Sequence, residues 1–262
     1  MEDLLISALR ISGKTLLRYF NKPMKTVQKE SQSSIVTEAD LGSEKLIINL
    51  LSKEFPSHNV LSEERGFINN NSEYTWIIDP LDGTSNFASG IPWFGVLITL
   101  FKFNSPVMGG AYLPVQDILY FAEAGKGAFR NDVPLPKLKE KDLKDSLVAF
   151  CVDYTEDIPF LKRGLEIYSN LIRESRNIRS TNSLIDFLYV AEGKFGGVVN
   201  LFTRVWDISG LNLIISEAGG IMKNIDGNNI HFKIGREIIK VNYPVIAGSK
   251  EIVKSFKRII IH

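Results

Sequence analysis

The chain has 262 residues, and its 31 basic and 30 acidic side chains give a net charge of only +1. That balance excludes the strongly basic surface of a protein built to bind nucleic acid or an anionic membrane. No apolar run reaches the roughly 18 residues that span a bilayer, and the acidic start at Met1-Glu2-Asp3 is unlike a secretory signal. The single Cys151 cannot form an internal disulfide, so we predict a cytoplasmic globular protein without a membrane or a direct nucleic-acid partner.

The first half of the chain alternates helical and strand patterns. Apolar residues from Leu4 to Phe20 recur at helical spacing and predict a first helix, which ends in a loop at 21–23. After a polar stretch over 28–34, a second helix is predicted to open at Thr37-Glu38-Ala39-Asp40, with an acid at its third position. Further strands are predicted at 96–101, 107–113, 118–123 and 127–130.

A polar, proline-containing stretch at 134–145 divides the chain. We predict an N-terminal α+β subdomain over residues 1–140 and a C-terminal α/β subdomain over residues 141–262. In the second part, patterns predict strands at 147–152, 196–200, 221–225 and 243–247, and helices at 157–175, 183–192, 207–218 and from Ser249 onward. This alternation indicates a layered α/β fold.

The most informative motif is Thr75-Trp76-Ile77-Ile78-Asp79-Pro80-Leu81-Asp82-Gly83-Thr84-Ser85-Asn86-Phe87, where an apolar strand runs into two aspartates and a small-residue turn. Ionised carboxylates offer only oxygen acceptors, which suits a hard cation such as Mg²⁺. If a helix begins at Thr84, the amides of Gly83, Thr84 and Ser85 form an anion site. The motif therefore predicts a metal-dependent phosphatase, and the structural alternative is that Asp82 merely caps a helix.

Three other acidic segments have both a functional and a structural interpretation. Glu63-Glu64 would supply further metal ligands, although adjacent acids more often form a solvated face. Asp40 would interact favourably with the positive, N-terminal end of its helix dipole, or it would face a functional site at that end of the helix. The two interpretations are compatible. Asp207 in Val205-Trp206-Asp207 repeats the pairing of an aromatic residue with an aspartate, but taken alone it predicts a helix N-cap.

Other hydrolytic chemistries lack their motifs. The 3 histidines show no ligand spacing, which argues against zinc, and neither a Gly-x-Ser-x-Gly elbow nor a P-loop occurs. Leu81-Asp82-Gly83-Thr84 superficially suggests a haloacid dehalogenase phosphatase. In that motif the nucleophilic aspartate would stand where this chain has Pro80, so that interpretation fails.

Two motifs resemble those of the inositol monophosphatase family: Trp76 to Phe87, and Trp206-Asp207 through Glu217-Ala218-Gly219-Gly220. Thr37-Glu38-Ala39-Asp40, Pro56-Ser57-His58 and Glu63-Glu64 follow the order and spacing of the family, and the resemblance extends from about Lys29 to Gly248. The resemblance implies an αβαβα layered sandwich of the inositol monophosphatase and fructose-1,6-bisphosphatase type. It also implies Mg²⁺-dependent hydrolysis of phosphomonoesters, inhibition by lithium and a homodimer.

The resemblance further implies roles for individual residues. Two or three Mg²⁺ ions would be held: the first by Glu63, Asp79 and the Leu81 carbonyl, the second by Asp79, Asp82 and Asp207, and a weaker third by Glu63. Thr84 and Asp40 would orient and deprotonate a metal-bound water, with Glu63 in the same catalytic set, and the amides of Gly83 and Thr84 would bind the phosphate. The substrate would be contacted by Asp82, Asn182, Ser183, Asn200 and Asp207. Lys29 matches a lysine that the family places near the site.

Three positions depart from the pattern of inositol-specific members. Asn200 stands where they carry a glutamate that binds sugar hydroxyls, and Ser34 stands where they often carry an aspartate. The loop Ser180-Thr181-Asn182-Ser183-Leu184 is bulkier than its family counterpart. The resemblance therefore supports the reaction more strongly than it supports myo-inositol phosphate as the substrate.

The sequence thus predicts hydrolysis of small phosphomonoesters, of the inositol-1-monophosphatase kind, by a metal-activated water. Adenosine 3′,5′-bisphosphate, fructose 1,6-bisphosphate, histidinol phosphate and other sugar or polyol phosphates stay open as alternative substrates. A hypothesis of a different class is also open. Some bacterial members of the family act as partners of the transcription machinery, and their catalysis is dispensable in that role.

Overall fold

The computed structural model describes residues 1–23, 25–29 and 35–261. Within these ranges the helices are α1 (Glu2–Tyr19), α2 (Glu38–Glu54), α3 (Thr84–Ala88), α4 (Ile158–Glu174), α5 (Leu184–Ala191), α6 (Val205–Glu217) and α7 (Lys250–Ile261). The strands are β1 (Thr26–Gln28), β2 (Ile35–Thr37), β3 (Asn59–Ser62), β4 (Gly66–Ile68), β5 (Tyr74–Asp82), β6 (Gly95–Lys102), β7 (Ser105–Leu113), β8 (Ile118–Glu123), β9 (Gly127–Arg130), β10 (Val133–Pro134), β11 (Leu147–Cys151), β12 (Asn177–Arg179), β13 (Gly197–Asn200), β14 (Ile221–Asn224) and β15 (Val245–Gly248). Short 3₁₀ turns lie at Leu143–Asp145 and Arg236–Lys240.

Strand pairing forms two main sheets. The first has eight strands in the order β10-β9-β8-β7-β6-β5-β3-β4, and the second has five in the order β12-β11-β13-β15-β14. In the first sheet β3 and β5 are parallel, while in the second β11 is parallel to both β12 and β13. A separate antiparallel ribbon joins β1 to β2.

Three apolar cores separate the layers. Helices α1 and α2 cover one face of the first sheet, where Leu9 and Ile47 pack with Trp76. The next residue of β5, Ile77, belongs instead to the core that holds α5 and α6 between the two sheets. Such alternation is what a strand buried on both faces requires, since successive side chains point to opposite sides. Helices α4 and α7 cover the outer face of the second sheet, and the predicted αβαβα arrangement is confirmed.

Two glycines allow α6 to lie unusually close to the first sheet. A Cβ atom on Gly109 of β7 would come within 2.9 Å of the Gly210 Cα atom. A Cβ atom on Gly210 would come within 2.6 Å of the Thr99 hydroxyl of β6. Side chains at either position would push the helix away from the sheet. The first turn of α6 carries Asp207, so this close approach also sets the distance between Asp207 and the end of β5.

The predicted elements agree with the structure to within a few residues, with two kinds of exception. The helix predicted at 207–218 begins at Val205, so Asp207 is its third residue, and the N-cap interpretation is wrong. Strands β1, β2, β3, β4, β10 and β12 were not predicted, because each is only two to four residues long. The division at residue 140 stays a prediction. Among the described residues, no helix has the combination of length and apolarity needed to cross a membrane.

Candidate active site

Three carboxylates converge where the first sheet meets α6. Strand β5 ends with Asp79 and Asp82, and its pairing with β6 shifts register between these two residues. In a regular strand, residues three apart point to opposite faces; the irregularity lets both side chains reach one place. Asp207 joins them from α6, and one carboxylate oxygen from each of the three lies within 4.8 Å of the others. We call Asp79, Asp82 and Asp207 the carboxylate cluster.

Each member of the carboxylate cluster is anchored by a backbone amide. Asp79 Oδ1 accepts a hydrogen bond from the Leu81 amide at 3.0 Å, and Asp207 Oδ2 accepts one from the Arg204 amide at 2.6 Å. Asp82 Oδ1 accepts one from the Leu184 amide at 2.6 Å, in the first turn of α5. Asp82 therefore does not cap α3, whose N-cap is Gly83 and has no side-chain cap.

The electrostatics of the carboxylate cluster are unfavourable without a cation. Burial raises the pKa values of Asp79 and Asp82 well above the ordinary range, and the neighbouring acidic groups raise them further. Burial likewise raises the pKa of Asp207 to about 7, although its contacts with Arg204 oppose the rise. Asp79 is buried, and Asp82 and Asp207 are half-buried. Carboxylates in such a setting whose charges are not compensated are a donor set that fits a hard divalent cation.

Glu63 lies in the field of the carboxylate cluster but is paired with a lysine. Burial raises its pKa to about 7 despite Lys29, whose Nζ atom lies 2.8 Å from Glu63 Oε1. Lys29 follows the ribbon strand β1 and also donates to Glu64. Burial opposes the charge on Lys29, but Glu63 and Glu64 outweigh burial and raise its pKa. The ammonium group therefore stands beside the carboxylate for which a metal role was predicted.

The turn that carries Glu63 is held by Glu44, a residue that the sequence analysis missed. Glu44 is buried on α2, and its Oε1 atom accepts hydrogen bonds from the amides of Glu64 and Arg65 at 3.1 and 3.0 Å. It also accepts one from the Ser62 hydroxyl. The sequence signal that could have identified Glu44 is helical spacing, because Glu44 follows Asp40 by four residues, about one turn, and so lies on the same face of α2.

Asp40 and Thr84 form the contact that the resemblance implies. The Thr84 hydroxyl lies 3.1 Å from Asp40 Oδ1 and 2.9 Å from the Leu81 carbonyl. Asp40 is fully buried at the third position of α2, where its Oδ2 atom accepts a hydrogen bond from the Thr37 amide at 2.8 Å. The predicted helix start at Thr37 is therefore confirmed. Burial raises the pKa of Asp40, while its contacts with Thr37 and Thr84 oppose the rise.

The turn between β5 and α3 depends on Gly83. Its φ angle of 84° lies in the left-handed region that favours glycine. A Cβ atom there would come within 2.6 Å of the Trp93 carbonyl oxygen. Only glycine fits this turn without displacing the neighbouring backbone, and the turn sets the start of α3 at Thr84.

Of the residues predicted to contact substrate, Asp82 and Asp207 belong to the carboxylate cluster, and the other three lie at or near the edge of the second sheet. Asn200 ends β13 and accepts a hydrogen bond from the Phe202 amide at 3.0 Å. Ser183 is the N-cap of α5, and the exposed Asn182 donates its amide Nδ2 to Asp153 Oδ1 at 2.8 Å. Asp153 was not predicted. Burial raises its pKa. We call Asp153, Asn182 and Asn200 the second-sheet rim; Ser34 lies outside the described residues.

Comparison with known proteins places these features in one family. The model of the inositol monophosphatase family matches residues 1–258. An inositol-1-monophosphatase of Mesorhizobium japonicum is 33% identical over 98% of this chain and 95% of its own length. The Nus factor SuhB of Pasteurella multocida is 30% identical over 97% of this chain and 93% of its own. The crystal structure of the extragenic suppressor protein suhB from Bartonella henselae gives a TM-score of 0.89 at 30% identity, covering 99% of this chain and 97% of that one. The chain belongs to the inositol monophosphatase family of phosphatases.

Proposed function

We propose that this chain hydrolyses small phosphomonoesters with the help of Mg²⁺ held at the carboxylate cluster. The observation that carries the proposal is the approach of three carboxylate oxygens to within 4.8 Å of one another, with raised pKa values for all three groups. Like charges at this distance repel strongly unless a cation lies between them. Bound divalent ions would lower the pKa of a water molecule and screen the charge on the phosphate.

Glu63 and the Leu81 carbonyl would complete the metal coordination. The Leu81 amide donates to Asp79, and the carbonyl oxygen of the same residue accepts a hydrogen bond from the Thr84 hydroxyl. Glu63 would have to exchange its contact with Lys29 for a metal ion. Because that exchange costs a salt bridge, we expect the site that depends on Glu63 alone to be the weakest. We therefore propose that the site binds two Mg²⁺ ions, and a third at high Mg²⁺ concentration.

Asp40 and Thr84 would remove the proton from the attacking water. The Thr84 hydroxyl is 3.1 Å from Asp40 Oδ1, and the other oxygen of Asp40 is occupied by Thr37. Oδ1 is therefore the acceptor that can take a proton relayed through Thr84. The amides of Gly83 and Thr84, next to the carboxylate cluster in the chain, would bind the phosphate as it gains charge.

The substrate would be a polyol or sugar phosphate, with inositol 1-phosphate as the leading candidate. The relative from Mesorhizobium japonicum that is named an inositol-1-monophosphatase supports that choice. Asp82 and Asp207 would face the ester, while Asn182, Ser183 and Asn200 would face the alcohol. Adenosine 3′,5′-bisphosphate, fructose 1,6-bisphosphate and histidinol phosphate are the competing substrates. Inhibition by Li⁺, a homodimer and a cytoplasmic location belong to the same proposal.

A second candidate function is that of a protein partner in transcription. It is supported by the relative from Pasteurella multocida, which is named a Nus factor and matches almost the whole chain. The two functions are separable by substitution. If growth depends on the role as a transcription partner, a variant with a disabled carboxylate cluster, such as Asp82→Asn, would still restore growth to a strain in which the gene for this protein is deleted.

The proposal is tested by measuring phosphate release from a panel: inositol 1-phosphate, glycerol 2-phosphate, fructose 1,6-bisphosphate, histidinol phosphate and adenosine 3′,5′-bisphosphate. Each ester is assayed with Mg²⁺, with EDTA, and with the Asp79→Asn variant. Asp142→Asn is the matched control, because it removes a carboxylate that is exposed and distant in sequence from the motif. We expect Mg²⁺-dependent turnover that Asp79→Asn abolishes and Asp142→Asn retains. Turnover that persists in EDTA would contradict the proposal.

A further inference from the structure

Asp153 is a carboxylate at the edge of the second sheet for which the proposed chemistry provides no role. It follows the end of β11 by two residues, and β11 pairs in parallel with β13 so that Cys151 lies opposite Asn200. The carboxyl ends of parallel strands meet at one edge of a sheet, where α/β proteins bind their ligands. Asp153 therefore stands beside the turn that follows Asn200.

Asp153 is linked to the carboxylate cluster through the loop before α5. Its Oδ1 atom accepts a hydrogen bond from Asn182 Nδ2 at 2.8 Å. Two residues further along, the Leu184 amide donates to Asp82 Oδ1 at 2.6 Å. Asp153 also contributes to the raised pKa of Asp207, so its charge acts on the carboxylate cluster. The rim and the cluster are therefore neighbours in the structure.

The remaining acceptor capacity of Asp153 is unused. Within residues 1–23, 25–29 and 35–261, the contact with Asn182 is its one side-chain hydrogen bond, and no cation pairs with it. A partly buried carboxylate that lacks a cation is costly unless hydrogen-bond donors satisfy it. A ligand that brings a donor to this place would offset that cost.

Asn200 offers the complementary group. Its Oδ1 atom already accepts a hydrogen bond from the Phe202 amide at 3.0 Å, while its Nδ2 group carries two hydrogen-bond donors. Asp153 is an acceptor only. A hydroxyl group both donates and accepts, and is therefore the ligand group that can satisfy an acid and an amide together.

We propose that Asp153 determines substrate specificity by accepting a hydrogen bond from a hydroxyl of the alcohol that is esterified, with Asn182 holding the carboxylate in place. This inference rests on the proposed phosphatase function and names the substrate class within it. The carboxylate at Asp153 supplies the charged acceptor for hydroxyls that an amide at Asn200 does not provide. The preferred substrates are accordingly polyol or sugar monophosphates rather than plain alkyl phosphates.

The test compares two esters of the same ring size, inositol 1-phosphate and cyclohexyl phosphate, in the full-length protein with Mg²⁺. We expect the wild type to favour the hydroxylated ester in kcat/KM. The isosteric change Asp153→Asn should reduce that preference by about 10- to 100-fold, which is the usual effect of losing one hydrogen bond to a charged group. The loss should fall mainly on KM, and Asp153→Glu should recover part of the preference.

Glu156→Gln is the matched control, because it removes a carboxylate from the same loop at an exposed position. This variant should keep the wild-type preference. An equal loss on both esters in Asp153→Asn would show a structural role, acting through Asn182, and would overturn the inference. An unchanged preference in Asp153→Asn would overturn it as well.

The two esters also separate this inference from the function on which it rests. Hydrolysis of both esters by the wild type with equal kcat/KM overturns the specificity role of Asp153 but leaves the phosphatase standing. If the wild type releases phosphate from neither ester but from another member of the panel above, the inference is overturned and the phosphatase stands. If it releases phosphate from none of them, the proposed function fails, and the inference fails with it.

Discussion

The carboxylate cluster and the Asp153–Asn182 pair of the second-sheet rim are linked through the segment 182–184 but are held by different means. Asp79, Asp82 and Asp207 each accept a hydrogen bond from a backbone amide. The contact between Asp153 and Asn182 instead joins two side chains. A backbone donor is positioned by the fold, whereas a side-chain donor must lose rotamer freedom to make its bond. On the proposed assignment, the fold positions the groups that carry out the reaction, while more readily replaced side chains at the rim select the substrate.

The largest expected effect comes from removing one charge of the carboxylate cluster. Asp82→Asn should lower kcat/KM by roughly 1000-fold or more, because a metal ion and its electrostatic stabilisation of the reaction depend on that charge. The loss should be the same for hydroxylated and plain esters, unlike the effect of Asp153→Asn. Phosphate release from inositol 1-phosphate and from cyclohexyl phosphate measures the size of the loss in kcat/KM and shows whether it is the same for the two esters. A loss confined to the hydroxylated ester would break the distinction between cluster and rim.

The next largest effect is expected from the proton-transfer pair. Thr84→Val removes the hydroxyl that bridges Asp40 and the Leu81 carbonyl. We expect a fall in kcat of about 100-fold, typical of a lost general base, with a smaller change in KM. Thr75→Val is a suitable control, because it removes a buried hydroxyl of β5, the strand that precedes Thr84, and that hydroxyl bonds only with Asn59 among the described residues. Equal losses in the two variants would contradict the role of Thr84.

A smaller effect is expected from the residue that supports the Glu63 turn. Glu44→Gln weakens the acceptor for the amides of Glu64 and Arg65. The concentration of Mg²⁺ that gives half-maximal activity should rise by about 10-fold, the lower end of what such supporting residues contribute. Glu54→Gln removes an exposed acid at the end of the same helix and should leave this concentration unchanged. No shift in Glu44→Gln would show that the turn is held by other contacts.

The smallest effect expected concerns stability in EDTA. Burial raises the pKa values of Glu63 and Asp207 to about 7, above those of the unfolded chain. Between about pH 5 and 7 the unfolded chain therefore binds fewer protons than the folded protein, and the free energy of unfolding falls as pH rises, by about 1 kcal/mol or more. Urea unfolding in EDTA at several pH values across this window measures the change in the free energy of unfolding. Saturating Mg²⁺ should abolish this fall in the free energy of unfolding. If the free energy of unfolding in EDTA rises with pH instead, the argument that the carboxylates repel one another without a metal ion is contradicted.

Features of the fold and of the candidate site could be predicted from the sequence where the residues involved lie close together along the chain. Asp79, Asp82, Gly83 and Thr84 stand in one continuous motif, so local chemistry identifies them. The layered fold follows from alternating helical and strand patterns. The amide that anchors Asp82 belongs to Leu184, 102 positions away, and no local pattern indicates that contact.

Residues that act through tertiary contacts were missed for the same reason. Asp153 and Asn182 are separated by 29 positions, and Asp153 lies in a loop with several exposed polar side chains. Glu44 has the sequence appearance of an ordinary acid on an amphipathic helix, and only packing reveals its burial. The N-cap interpretation of Asp207 failed because Arg204, an uncommon cap, precedes the helix.

The most direct test of the central claim is a crystal structure of the protein with Mn²⁺, which gives an anomalous signal and prefers oxygen ligands as Mg²⁺ does. We predict an anomalous peak between Asp79, Asp82 and Asp207, about 2.1 Å from one oxygen of each carboxylate. The same crystal grown with Asp79→Asn should lose that peak or show it at low occupancy. No peak among these three residues in the wild type at saturating Mn²⁺, with phosphate release still active, would contradict the account.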